Sequence, residues 1–477
     1  MTISDTAPRL LLRGGAVVSM DPGIGTLAHG DVLIEGGRIV AVAGSLGEID
    51  AETIDTTAMI VAPGLVDTHR HTWQTQLRGL CGNWTLTDYF NGVRLTASPC
   101  YGPDDVRLGN RAGALEAVDA GVTTILDFSH CMNSPDHADG AVEGLFSSGI
   151  RALHCYGFFE SAPGASVFAD HAARLGDFER LAATGRFGDR LRLGVALTET
   201  GLVPWRDTVA EITTARGADV LMATHTGCVW GSRVTGAVLD LEAAGLLGPD
   251  QVHVHANNLG PQEWRALASA GAKVSTSPET ELNMGMGRLA IASCLAHAMA
   301  PTLSADTVAL NAGDLFTQMR LALAAMRQDD NDPINQRGAM PERLTHSAGD
   351  ALRWATGNGA EALGLGGRIG SLTSGKDADL IVVGGPAFAA WPVVDPEASM
   401  VFQASPATVR HVLIGGRWAK RDGALVGVDM TTLRRDVEAS AEGIRERMRL
   451  RSPTLPPSPI FDAQAIEEFA AMNLAER

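Results

Sequence analysis

Ile60-Val61-Ala62-Pro63-Gly64-Leu65-Val66-Asp67-Thr68-His69-Arg70-His71 says more about the architecture than any other segment of the chain. A short apolar strand passes through a Pro-Gly pair and ends on two histidines. Side chains of a strand alternate with period two, so His69 and His71 are expected to leave its C-terminal end on the same side. Two imidazoles converging on one point suit a borderline divalent ion such as Zn²⁺.

Outward from this segment, apolar runs recur near residues 60–67, 123–129, 151–159, 191–198, 220–226, 252–257, 272–279 and 302–307. Each is followed by helix-like sequence, with helical spacing of apolar positions over 103–120 and 262–270. Strand and helix alternating eight times predict a (β/α)₈ barrel, where the C-terminal ends of different strands meet over one mouth. The long gap after the first strand implies an extra helix or a loop over that mouth. In chain order the strand ends carry His69 and His71, then His225, His255 and Asp306. His253 shares a strand face with His255 and is expected to pack one layer down. Imidazoles and a carboxylate around one ion leave room for a water whose pKa the ion lowers.

This ordered set resembles the amidohydrolase superfamily, in which a Pro-Gly-(apolar)-(apolar)-Asp-x-His-x-His run opens the barrel. Gln74 and Arg78-Gly79 extend the likeness toward the aminohydrolase branch of purine, pyrimidine and triazine hydrolases. The resemblance implies that His69, His71, His225 and Asp306 bind one metal ion per subunit. Zn²⁺ is the first expectation, and Fe²⁺ and Mn²⁺ suit the same ligands. It also implies that His255 bonds to the attacking water or substrate and that Asp306 moves the proton to the leaving group. Two-metal relatives bridge their ions with a lysine at the fourth strand end. The fourth strand here, residues 191–198, has no lysine, and the three lysines of the chain lie at 273, 376 and 420. The expected centre is mononuclear.

Two positions depart from the family pattern. Relatives place a glutamate three residues after the fifth-strand histidine, to protonate a ring nitrogen; Cys228 stands there. After the seventh strand, Glu281 occupies a position where many relatives carry asparagine, and Glu279 precedes it. Glu281 is therefore a candidate relocated acid, and either carboxylate could anchor a basic substrate. Gln74, Trp84 and His130 are further candidates for touching substrate. Trp73, Phe158, Phe159 and Trp230 could complete an apolar slot for a flat ring. The implied activity is hydrolysis of a C–N bond in a small cyclic molecule, by deamination of a heterocyclic amidine or opening of a cyclic amide. The alternative is a non-oxidative decarboxylase or lyase on the same metal set.

Short strands broken by glycine turns fill residues 9–60 and return between 370 and 423. Both flanks resemble the small β-sandwich that the superfamily builds from its two chain ends. The expected organisation is sandwich over 1–62, barrel over 63–362, sandwich again over 363–430 and a helical tail over 431–477. Helices are expected at 432–451 and 462–476, and the tail is a candidate for packing on a neighbouring subunit. A homodimer or homotetramer is the expected assembly. The 477 residues suffice for a large barrel with an accessory domain, and 45% hydrophobic content allows a sizeable core. A net charge of −17 argues against nucleic acid or an anionic membrane as partner. Six scattered cysteines without a CxxC pair suit a reducing compartment. With neither a leader-like segment nor a spanning stretch, a cytoplasmic location is expected.

Overall fold

A computed structural model describes residues 9–161, 165–228, 237–457 and 463–475. The chain begins with β1 (Leu10–Val18), β2 (Thr26–Glu35), β3 (Arg38–Ala43), β4 (Glu52–Asp55) and β5 (Ile60–Pro63). Eight parallel strands follow: β6 (Leu65–Arg70), β7 (Val122–Ser129), β8 (Arg151–Gly157), β9 (Leu191–Ala196), β10 (Met222–Thr226), β11 (Gln251–His255), β12 (Lys273–Thr276) and β13 (Pro301–Leu303). They pair in chain order, as a (β/α)₈ barrel requires. The chain then returns as β14 (Leu380–Val383), β15 (Val409–Ile414), β16 (Arg417–Arg421) and β17 (Ala424–Leu425), which join the opening strands in one mixed sheet.

The opening segment divides differently from the sequence reading. Ile60–Pro63 is not barrel strand; β5 pairs with β1 and β14 in the mixed sheet, and the barrel begins only at Leu65. Gly64 is the joint. A Cβ there would sit 2.1 Å from Oγ1 of Thr123, so no larger residue fits without displacing β7. Where short strands broken by glycine turns were expected, Leu10–Val18 forms one continuous strand whose register shifts around Gly15.

Period-two burial sorts the barrel strands into two layers. Leu65, Ile125, Tyr156 and Val195 pack outward under the helices, while Val66, Leu126, Cys155 and Ala196 fill the lumen. The helix Gly357–Ala362 plugs the lumen's lower end through Ala360. The seam closes past β13, where Asp306 N donates to the His69 carbonyl and His71 N donates to the Asp306 carbonyl, both at 2.9 Å.

The gap after β6 holds a short helical turn (Thr72–Leu77), a helical segment over 86–97 and the helix Pro103–Asp119. The tail folds back on its own chain. Its first helix, Met430–Arg451, lies against the segment 100–105 through Ser440 and Arg447, which both bond Asp105. Its second, Ala463–Leu474, reaches Gly201 through Asn473. Among the described residues no helix is long and apolar enough to cross a membrane.

Candidate metal centre and pocket

The histidines of β6 do not reach the mouth by alternation alone. Asp67 is paired with Ile125 and Arg70 with Asp127, so three steps along β6 match two along β7. Such a bulge re-aims side chains, often beside active sites. Asp67 is drawn to Arg70, whose Nη1 donates to it at 3.0 Å, while Arg70 also caps the Gly313 carbonyl. The His69 and His71 rings then meet edge to face, with centroids 4.6 Å apart.

Nitrogens of His69, His71 and His225 lie within 4.8 Å of one another, as do the ligand atoms of His69, His255 and Asp306. Asp306 Oδ1 is 3.3 Å from Nε2 of both His69 and His71. The other ring nitrogens are turned away from this point by fixed partners. His71 Nδ1 bonds the Phe128 carbonyl at 2.8 Å, His225 Nδ1 bonds Glu199 at 2.9 Å, and His255 Nδ1 bonds Glu281 at 3.0 Å. Outer hydrogen bonds of this kind fix tautomer and orientation in metal-binding histidines. His69 is fully buried, yet neither of its ring nitrogens has a hydrogen-bond partner. A buried polar atom left unpaired is costly, and an ion between these side chains would satisfy it. The donor set therefore fits a divalent metal.

Burial keeps these imidazoles neutral, as ligands must be. It lowers His69 to about 4 despite Asp306, pushes His71 well down, and lowers His225 against the pull of Glu199. His255 moves the other way: burial would lower it, but the hydrogen bond and charge of Glu281, with Asp306 behind, raise it. Burial would raise Asp306, but His69, whose Nε2 lies 3.3 Å from Oδ1, and then the other histidines around it outweigh burial and keep it a carboxylate. Both His255 and Asp306 have positive φ, 74° and 58°, an uncommon conformation for a residue other than glycine.

A cavity of about 850 Å³, counted out to its solvent mouth, opens over this cluster. His71, His225, His255 and Asp306 form its floor. Leu86, Tyr89, Phe90, Leu202 and Met284 give it largely apolar walls, and Thr87, Arg94, Glu199, Cys228, Thr280 and Thr307 are its other polar members.

The structure redirects most of the expected substrate contacts. Glu281 is fully buried behind His255. It accepts from His255 Nδ1 and Ser277 N through one oxygen and from Asn257 Nδ2 through the other, so it faces its neighbours and not the cavity. Glu279 turns toward the helix Leu315–Gln336, where it accepts from Gln318. Gln74 spends its amide on Tyr89 and Thr307. Trp84 packs over Gly92, and Trp73 donates to His130 Nδ1 at 3.1 Å. His130 stacks on His71 with ring centroids 4.4 Å apart, which makes it a support for that ring. Phe158 joins the outer core, and His253 packs below the floor against Thr226. Trp230 lies outside the described residues.

Two charged pocket residues escaped the sequence reading. Glu199 stands one residue beyond the run 191–198, at the end of the fourth barrel strand, and position past a strand end was the available signal. Arg94 comes from the segment over the mouth and carries no such signal. It forms a bidentate ion pair with Glu199, Nη2 to Oε2 at 3.2 Å. Burial raises the Glu199 pKa, but Arg94 and then His225 outweigh it and hold the group ionised. Cys228, beside them, is pushed up to about 12 by burial and then by Glu199, so its thiol stays protonated.

Eight parallel strands gathering histidines and an aspartate over an enclosed pocket define a metal-dependent hydrolase of the barrel type. The model of the Amidohydrolase family matches residues 60–419, and the chain belongs to that family. A 5'-deoxyadenosine deaminase of Methanosarcina barkeri (strain Fusaro) is 28% identical over 448 residues, covering 92% of this chain and 99% of its own. A 5-methylthioadenosine/S-adenosylhomocysteine deaminase of Syntrophobacter fumaroxidans is 29% identical, covering 94% and 98%. Among solved structures, an adenosine deaminase from Xanthomonas campestris with bound zinc matches with a TM-score of 0.80 at 24% identity. It covers 92% of this chain and 98% of its own. Atrazine chlorohydrolase from Arthrobacter aurescens TC1, complexed with zinc, matches with a TM-score of 0.77 at 24% identity, over 91% and 100%. At that identity the two structures speak to the fold.

Proposed function

We propose that the protein is a mononuclear hydrolase in which His69, His71, His225 and Asp306 hold one divalent ion, zinc first, for hydrolytic attack on a C–N bond of a small ring. The observation that carries this reading is the convergence of four strand ends on a fully buried His69 whose nitrogens are otherwise unsatisfied. When bound, the ion would polarise a water and lower its pKa toward neutrality. Asp306, ionised and at the floor of the pocket, is placed to accept the water's proton and return it to the leaving nitrogen. His255, kept more basic by Glu281, is placed to hydrogen-bond the atom under attack. The apolar walls suit a flat, neutral ring and exclude bulk water.

Deamination of a heterocyclic amidine comes first, in keeping with the deaminase relatives. Opening of a cyclic amide is the second reading, and one observation favours it. Among the described residues no protonated carboxyl lines the pocket, because Glu199 is ion-paired and Cys228 stands at the expected acid position. A cytoplasmic location belongs to the same reading, supported by six unpaired cysteines. Incubation of the zinc-loaded protein with aminopurines, aminopyrimidines, aminotriazines and cyclic amides, following ammonia and ring opening, tests it. Release of carbon dioxide with neither product would instead indicate the decarboxylase alternative.

A further inference from the structure

Glu199 and Asp306 are the two carboxylates that line the pocket among the described residues, and only Asp306 has a role in the reading above. Glu199 is buried, and its Oε1 serves both His225 Nδ1, at 2.9 Å, and Arg94 Nη1. Its Oε2 accepts from Arg94 Nη2. An ionised carboxylate only accepts, so Nδ1 of His225 must carry the ring proton and Nε2 must present its lone pair. One nitrogen of His225 lies within 4.8 Å of those of His69 and His71, and with Nδ1 spent on Glu199 the nitrogen free for an ion is Nε2. The guanidinium of Arg94 in turn packs against two rings, 5.1 Å from the Phe90 centroid and 3.9 Å from that of Phe159. Its planar fork matches a carboxylate in a way lysine could not.

We infer that Glu199 is a positioning residue of the metal centre, acting through His225, and that Arg94 clamps it in place. This rests on the metal-centre reading above. A chain of charge-assisted hydrogen bonds thus joins the segment 86–97 over the mouth to one metal ligand. The pair costs desolvation of two charges, which a purely structural contact could avoid with apolar residues of similar size. Its use is to dictate a tautomer and a ring angle.

The test measures zinc affinity by competition with a chromophoric chelator, and the visible absorption of the cobalt-substituted protein, on the full chain. Two variants are compared with wild type: Glu199→Gln, and the double variant Arg94→Met/Glu199→Met, which removes both charges together. Loss of an outer partner of a ligating histidine typically weakens metal binding by about 10- to 100-fold. The double variant should fall in that range with altered cobalt bands, and Glu199→Gln, which keeps an acceptor oxygen, should lie near its lower end. If the double variant folds, by circular dichroism, yet binds zinc within about twofold of wild type with an unchanged cobalt spectrum, the inference is overturned. If it does not fold, Glu199→Gln decides by the same two readouts. A wild-type protein that takes up neither ion overturns the metal-centre reading as well, whereas wild-type uptake with unaltered variants overturns this inference alone.

Discussion

Replacing Glu281 by Gln isolates the carboxylate behind His255. In the native protein Oε1 serves His255 Nδ1 at 3.0 Å and Ser277 N, while Oε2 serves Asn257 Nδ2 at 2.9 Å. Glutamine keeps one carbonyl for the first two donors but turns an NH₂ toward Asn257 Nδ2. One hydrogen bond to a charged group is lost and two donors oppose each other, a cost of about 1.5–3 kcal/mol. The second effect is electrostatic. His255 sits above its ordinary pKa because Glu281 outweighs burial; without that charge burial dominates, and the pKa falls. A histidine with a raised folded pKa contributes stability that is complete below its unfolded value, near 6.5, and lost as pH rises through the folded value. In the metal-free protein this contribution should vanish in the variant. Urea unfolding at pH 6 and pH 8.5 measures it: the wild type should lose more stability over this interval than the variant does. Once a substrate is in hand, the alkaline limb of kcat/KM should move to lower pH in the variant. Equal pH dependence of stability in the two proteins would refute the assignment of Glu281 as the partner that tunes His255.

Elemental analysis of protein prepared without chelator should find about one metal ion per chain, and His71→Ala should lose it along with activity. Because burial holds His69 neutral down to about 4, the ion should survive dialysis at pH 5.5, where a free imidazole would be mostly protonated. Arg70→Met should destabilise the fold by about 3–5 kcal/mol at pH 7, because it strands Asp67 as a buried charge. Asp67 already has a raised pKa from burial, opposed by Arg70, so the deficit should shrink as the pH is lowered and the carboxyl takes a proton. Gly64→Ala should cost about 1–3 kcal/mol by overpacking against Thr123, read as a lowered unfolding midpoint.

The barrel was legible in the sequence because eight apolar runs, several ending in histidine or aspartate, follow from strand burial and chain order. The floor of the site was legible for the same reason: His225, His255 and Asp306 each stand at or just past a strand end. The pocket walls were not. Glu281 was expected near the substrate because the preceding strand ends beside the mouth, but the helix Pro278–Asn283 turns its carboxylate back toward His255. Gln74 looked free to meet a ligand until Tyr89 and Thr307 arrived from distant segments to satisfy it. The bulge in β6 follows from a buried pairing with β7 and the demand of Asp67 for Arg70, neither visible in local pattern. The split at Gly64 was hidden because Ile60–Pro63 is apolar for one sheet and Leu65–Val66 for another, with only a glycine between them.

Asp306 is a seam residue as well as a ligand candidate, for its amide and carbonyl join the last strand's extension to His69 and His71. For an ion held there, any opening of the seam also displaces one of its candidate ligands. Conditions that speed hydrogen exchange at the amides of His71 and Asp306 should therefore speed loss of the ion as well. A tightly closed barrel would hold its metal by kinetics even under conditions where a chelator wins at equilibrium.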